Sequence, residues 1–308
     1  MSVPPSRKSR ISVHGIVLLD KPEGLSSNHA LLRVKRRLNA KKAGHTGTLD
    51  PFATGLLPLC FGEATKFSQD LLNADKTYVT TVHLGIKTST GDTEGEIIAR
   101  QNVDPIAPEQ LESVLTRFTG EIEQVPPMYS ALKRDGKPLY EYARAGIELE
   151  REARRVTIHC LEVLDFSPPL LTLRVLCSKG TYIRVLGEEI GKALGCGAHL
   201  HALRRVRVGS LDIGDASTLL DIEQTEDSKM ESILQPVDSL LTTFPSVLLS
   251  EEQARRFMHG QRLSREKEKL FVPESEKKVR VYENTGRKLL GTASIKQGNI
   301  VPERLIAA

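Results

Sequence analysis

Gly44-His45-Thr46-Gly47-Thr48-Leu49-Asp50-Pro51-Phe52-Ala53-Thr54-Gly55 packs three glycines, a histidine and one acidic residue into a stretch without hydrophobic period. Glycines permit backbone angles that other residues resist, so such a run makes a tight loop that brings main chain close to a ligand. Pro51 fixes its own φ and biases Asp50 away from the helical region. A lone carboxylate on a stiff loop suits a nucleophile or a base. The same letters also spell an ordinary surface turn, because Asp-Pro and Gly are common turn residues. On spacing alone both readings stand.

The surroundings narrow the class. The chain has 308 residues, 39% of them hydrophobic and 27% charged, with no tryptophan. That length suggests one large domain plus a small one, or two domains. Net charge is only +4, but the cations are clustered. Arg33-Val34-Lys35-Arg36-Arg37, Lys41-Lys42, Arg151 to Arg155 and Arg204-Arg205-Val206-Arg207 form basic patches of the kind that suits a polyanion such as nucleic acid. Any single patch is also consistent with a solvated helix face. Cysteines 60, 160, 177 and 196 form no CxxC pair, which points to reduced thiols and a cytoplasmic protein. The N-terminus carries no signal-peptide pattern, and no run approaches the ~20 apolar residues of a membrane span.

Along the chain, residues 1–12 are expected to be a disordered basic tail. Gly15 to Leu19 predicts a strand ending in the turn Asp20-Lys21-Pro22-Glu23-Gly24. Ser26 or Ser27 caps a helix to about Leu38. Helix is also expected from Glu63 to Ala74 and Pro108 to Phe118, with a strand at Thr77 to Leu84 and a polar turn at Ser89 to Gly95. Residues 124–155 interleave basic and aromatic residues and are read as a long, mobile insertion that closes over a ligand. Val156 to Phe166 and Leu170 to Cys177 predict paired strands across Ser167-Pro168-Pro169. Gly180 to Leu194 runs from a strand end into a helix, and Ala202 to Val208 is another strand. A polar stretch at Glu226 to Pro245 suggests a boundary between a domain over 13–245 and a small β-rich domain over 246–308. Cys196, His199 and His201 are close in sequence, but no partner pair for a zinc site stands out elsewhere, so no metal is expected.

Several of these segments, taken together, resemble the bacterial tRNA pseudouridine-55 synthases, the TruB family. Gly44 to Gly55, continuing through Leu56-Leu57-Pro58-Leu59 and Gly62-Glu63-Ala64-Thr65-Lys66, is similar to that family's signature. Leu18-Leu19-Asp20-Lys21-Pro22-Glu23-Gly24, Asp75-Lys76-Thr77-Tyr78, Cys177-Ser178-Lys179-Gly180-Thr181-Tyr182-Ile183-Arg184 and Leu203-Arg204-Arg205 resemble its other motifs, in order. Pro126 to Ala143 resembles its RNA-clamping insertion. The C-terminal part is similar in position and length to an RNA-binding PUA-type module. Glu188-Glu189-Ile190-Gly191 departs mildly from the family's Asp-Leu-Gly pattern.

The resemblance implies a mixed α/β fold around a bent, mainly antiparallel sheet. It also implies an isomerase that breaks the N1–C1′ bond of one T-loop uridine, turns the base and rejoins C5 to C1′, with no cofactor. Asp50 matches the essential carboxylate, acting on the sugar as nucleophile or as base. Arg184 matches its partner, expected to hold the Asp50 pKa down. Tyr78 matches the tyrosine that stacks on the flipped base and helps remove the C5 proton. His45 matches a plug for the space the base leaves, and Tyr182 and Leu203 match pocket residues. Lys21 and Pro22 are read as pocket support. Lys133, Lys137, Arg144, Arg154 and Arg155 are candidates for RNA-backbone contacts. The expected partner is tRNA, bound by a monomer without guide RNA or membrane. An RNA-remodelling protein of the same fold is the competing reading from another class, and Asp50→Asn separates isomerisation from binding.

Overall fold

The computed structural model describes residues 9–273, 276–284, 286 and 288–306. The first eight residues of the expected tail lie outside this set, as do the last two of the chain. At the tail's far end Ile11 is already tied down: its N–H donates to the Asn39 carbonyl and its carbonyl accepts from Lys41, both at 2.9 Å.

The first strand, β1 (Gly15–Lys21), shows why a continuous apolar run belongs at the centre. Ile16 and Leu18 pack on one side, with Leu56, Cys60, Phe67 and Leu240. Val17 and Leu19 pack on the other, with Val34, Leu57 and Leu59. A strand buried on both faces has no polar side to alternate. Helix α1 (Ser27–Arg37) follows, capped by the Ser26 hydroxyl on the His29 N–H. It presses Ala30, Leu31 and Val34 into the core, and its terminal Lys35, Arg36 and Arg37 complement the helix dipole. Next come β2 (Ala43–His45), β3 (Thr54–Phe61), the short α2 (Ser68–Leu72) and β4 (Lys76–Leu84). A small hairpin, β5 (Ile86–Thr88) and β6 (Ile97–Arg100), leads to α3 (Pro108–Arg117) and β7 (Gly120–Gln124).

The insertion contains a minimal hairpin, β8 (Lys133–Arg134) and β9 (Lys137–Pro138), then α4 (Leu139–Arg144). The long antiparallel pair β10 (Arg154–Ser167) and β11 (Leu170–Cys177) lies across Pro168-Pro169. Helix α5 (Ile183–Ala193), β12 (Ala198–Val208), β13 (Leu211–Asp212), β14 (Ser217–Thr218) and α6 (Leu219–Gln224) complete the larger part.

Its ten-stranded sheet runs β14-β1-β3-β12-β4-β11-β10-β7, with β13 on β12 and β2 on β3. Pairing is antiparallel except for β1 with β14 and β12 with β3. This is the mixed α/β, mainly antiparallel architecture expected above. The order also places three distant motifs side by side: Arg205 of β12 pairs with Tyr78 of β4 on one side and with Gly55 of β3 on the other.

A second sheet of five strands forms the C-terminal part, from β15 (Ser246–Leu249), β16 (Leu263–Ser264), β17 (Lys278–Glu283), β18 (Leu289–Lys296) and β19 (Asn299–Leu305), with α7 (Glu251–Met258) against it. Lys278 joins it to the larger part through Asp70 at 2.7 Å, and Arg304 lies 3.6 Å from the same carboxylate.

Candidate active site

Residues 46–53 form the loop between β2 and β3, and contacts from distant segments fix its shape. The buried Ser27 hydroxyl accepts from the Leu49 N–H (2.8 Å) and donates to the Leu49 carbonyl (2.9 Å), closing both backbone groups of the residue before Asp50. The Pro51 carbonyl accepts from Gly24 N–H at 2.8 Å and from the Lys21 ammonium at 3.2 Å. Lys21 is fully buried and also donates to the carbonyls of Pro22 and Leu25. Burial pushes its pKa down to about 8, with Asp50 opposing. Gly55 has φ +101°, and a Cβ there would lie 2.3 Å from the Arg205 carbonyl, so only glycine fits this crossing.

Asp50 emerges from this loop opposite Arg184, near the start of α5. The guanidinium lies 3.0 Å from Asp50 Oδ2 and 3.5 Å from Asp92 Oδ2, and donates to the carbonyls of Thr90 (2.9 Å) and Tyr129 (2.6 Å). Asp92 is 2% exposed and is itself held by the Thr90 hydroxyl (2.5 Å) and the Glu94 N–H (3.0 Å). The Asp50 side chain keeps 34% of its exposure, facing the cleft. Two carboxylates therefore share one guanidinium. The Asp50 pKa is raised, chiefly by burial; Arg184 pulls it down, and Asp92 adds a lesser upward push. This corrects the expectation that Arg184 would hold it low: desolvation of the carboxylate outweighs the guanidinium, and Asp92 adds to the rise.

A cleft of about 360 Å³ opens in front of the pair, within the range of small-ligand sites. Tyr78, Tyr182 and Leu203 line it together with Asp50 and Arg184. Tyr78 stands beside Arg205, a fully buried guanidinium that donates to the carbonyls of Leu56 (2.7 Å) and Gly47 (3.2 Å). Burial raises the Tyr78 phenol pKa and Arg205 opposes the rise. Burial likewise raises that of Tyr182, with Ser130 opposing.

The other expected site residues lie elsewhere. His45 is on β2, opposite Leu59 and outside the cleft lining, with Nδ1 buried and without a hydrogen-bond partner. Burial, then Arg205, lowers its pKa, so the ring is neutral at physiological pH. Pro22 is exposed and lines a separate cleft with Asp20, Arg33, Arg204 and Glu223. Lys133, Arg144, Arg154 and Arg155 are exposed around the insertion, and Lys137 is half-buried there. Lys137 sits over the Tyr142 ring (4.8 Å), Arg144 over Tyr140 (5.4 Å), and Arg155 lies 3.9 Å from Glu123. The close run of Cys196 and His199 is engaged within the fold: Cys196 with the Gly191 carbonyl, His199 with that of Ile86.

Sequence reasoning missed Asp92, Arg205 and Lys76. Lys76 lines the cleft, donates to the carbonyls of Leu71, Leu72 and Ala74, and has its pKa lowered to about 8 by burial. For Arg205 a signal existed, since it shares a strand face with Leu203 at period two. For Asp92 the turn composition of Thr88 to Gly95 gave none.

Comparison with known proteins places this architecture. Residues 35–183 match the TruB family pseudouridylate synthase N-terminal domain, 184–242 the tRNA pseudouridylate synthase B C-terminal domain, and 245–306 the pseudouridine synthase II TruB C-terminal domain. A chain in the crystal structure of a Cbf5-Nop10-Gar1 complex superposes with TM-score 0.74 at 27% identity, over 95% of this chain and 84% of that one. Fold and site together thus define a pseudouridine synthase. At the level of sequence, tRNA pseudouridine synthase B of Ralstonia nicotianae is 59% identical, covering 98% of this chain and 96% of that protein. The corresponding protein of Burkholderia lata is 57% identical over 99% and 95%. The chain belongs to the TruB family.

Proposed function

We propose that this protein isomerises uridine-55 in the T-loop of tRNA to pseudouridine. The observation that carries the reading is the Asp50–Arg184 pair at 3.0 Å, set in a cleft walled by Tyr78 and Leu203. A uridine inside an RNA stack is out of reach of such a pair, so the nucleotide is extruded into the cleft. Asp50 then acts on the ribose, as nucleophile at C1′ or as base toward a glycal. The N1–C1′ bond breaks, the uracil turns, C5 bonds to C1′, and the C5 proton leaves while N1 gains one. Substrate and product are isomers, so the reaction needs no group donor. Tyr78 stacks on the base and assists departure of the C5 proton. Leu203 packs against the uracil, Tyr182 flanks the pair, and Lys21 supports the pocket through the Pro51 carbonyl, with Pro22 contributing only its carbonyl to Lys21. His45 fills the vacated stack.

The insertion clamps the T-arm, with Lys133, Lys137, Arg144, Arg154 and Arg155 on phosphates. Its own cationic and aromatic surface supports action by a single copy without guide RNA. The five-stranded sheet beyond residue 245 serves as a PUA-like RNA-binding domain. No helix among the described residues is long and apolar enough to cross a membrane. We assign the protein to the cytoplasm because its relatives are named for action on tRNA. The test is tritium release from [5-³H]uridine-labelled tRNA transcript, using purified protein and EDTA with nothing else added. Release that disappears in Asp50→Asn is the expected result. Absence of release from folded wild-type protein would refute the stand-alone reading.

A further inference from the structure

The insertion meets the catalytic pair through a buried side chain that the reaction itself does not use. Gln124 ends β7, where the chain enters the insertion, and is 5% exposed. Its carboxamide accepts from the Tyr182 N–H (3.0 Å) and donates to the Tyr182 carbonyl (3.3 Å). Both backbone groups of the residue two positions before Arg184 are thereby fixed to the root of the insertion. Five residues further on, the Tyr129 carbonyl accepts from the Arg184 guanidinium. The same limb is tied to the RNA-facing part of the insertion, because Tyr140 N–H donates to Ser130 (3.1 Å) and Leu139 N–H donates to Leu132 (2.7 Å). A continuous run of hydrogen bonds links α4, residues 129–132, Arg184 and Asp50.

We propose that Gln124 is a positioning residue that couples the insertion's seating to the orientation of Arg184 against Asp50. With Gln124 in place, movement of the insertion about its root carries Tyr182 and the start of α5 with it. Clamping the RNA and aligning the guanidinium then become one event. The inference rests on the function proposed above.

The test uses the full chain with Gln124→Met, which keeps the volume and removes both hydrogen bonds. Expected are a saturated single-turnover rate of tritium release lowered on the order of 10- to 100-fold, as small misplacements of catalytic groups cost, and a tRNA Kd within about threefold of wild type, since phosphate contacts are untouched. Hydrogen exchange of residues 180–184 is expected to accelerate together with that of 126–132. An unchanged rate, or a loss appearing wholly in Kd, would overturn the proposal.

Gln124→Glu covers the case in which the methionine variant fails to fold. Its carboxylate still accepts from Tyr182 N–H but faces the Tyr182 carbonyl without a donor until it is protonated. Its rate relative to wild type should therefore rise as pH falls, whereas a merely structural role gives a ratio independent of pH. Should wild type release no tritium, the proposed function fails, and hydrogen exchange alone decides the coupling. Unaltered exchange at 180–184 in Gln124→Met would then reject it.

Discussion

The loop of residues 46–53 and the insertion of residues 124–155 both face the same cleft, but they are held in opposite ways. The loop is clasped by groups distant in sequence: Ser27 on Leu49, Lys21 and Gly24 on Pro51, Arg205 on Gly47. The outer insertion is held by neighbours: Lys137 on Tyr142, Arg144 on Tyr140, and the Lys133–Arg134/Lys137–Pro138 hairpin. Long-range, buried contacts fix one geometry, as the reacting role proposed for Asp50 requires. Short-range, exposed contacts leave a surface that can follow a flexible polyanion. Substitutions in the loop should therefore act on rate, and those in the outer insertion on affinity.

The largest effect belongs to Asp50→Asn. Tritium release at saturating tRNA should fall by on the order of 10⁴-fold or more, as for loss of a reacting group, with tRNA binding retained. Stability should move the other way. The folded-state pKa of Asp50 lies above its ordinary value, so ionising it costs the fold stability; the cost is absent below the unfolded pKa and present above the folded one. Asparagine removes that cost at neutral pH, while Arg184 keeps Asp92 and two carbonyls. A Tm equal to or above that of wild type is expected. A marked drop would mean that Asp50 holds the loop together rather than being held by it.

Next comes Lys21→Met, which strips the Pro51, Pro22 and Leu25 carbonyls of one shared donor. The saturated rate should drop on the order of 100-fold, with tRNA Kd nearly unchanged. Its stability effect depends on pH. Because the pKa of Lys21 is lowered to about 8 from 10.5, wild-type stability gains from this group as pH rises from 8 toward 10.5, where the unfolded chain binds the extra proton. The methionine variant should lack that gain in denaturant titrations.

Asp92→Asn tests the sharing of Arg184. With one carboxylate neutral, Arg184 acts on Asp50 alone and the like charge is gone. The acid limb of the pH–rate profile should move to lower pH. An unmoved limb would show that Asp92 only braces the Thr88–Gly95 turn.

Where the contacts are local, the sequence was readable. The Ser26 cap of α1, the α3 helix with its stripe of Leu111, Val114 and Leu115, and the β10–β11 hairpin all follow from neighbours within a few residues. β3 is not legible because Pro58 interrupts its apolar run, and a proline within a run argues against a strand. β19 escaped because its pairing with β18 and β16 is settled across the sheet rather than along the chain. In the cleft, Asp50, Tyr78 and Arg184 could be named from their motifs. Asp92 could not, because it owes its role to a guanidinium delivered by α5 from the far side of the insertion.

The smallest expected effects sharpen the comparison from the insertion's side. Lys137→Ala and Arg144→Ala each remove one cation and one contact with a tyrosine ring, the latter worth about 0.5–1 kcal/mol at an exposed site. No long-range hydrogen bond of the 46–53 loop is touched. Each variant should therefore weaken tRNA binding severalfold and reduce the slope of log Kd against log salt concentration by roughly one. The saturated single-turnover rate should stay within about twofold of wild type, because phosphate contacts position the RNA rather than carry the chemistry. A fall in that rate as large as that of Lys21→Met would break the division between the two regions. It would mean that the outer insertion reaches the catalytic pair by its own contacts, and not only through its root at Gln124.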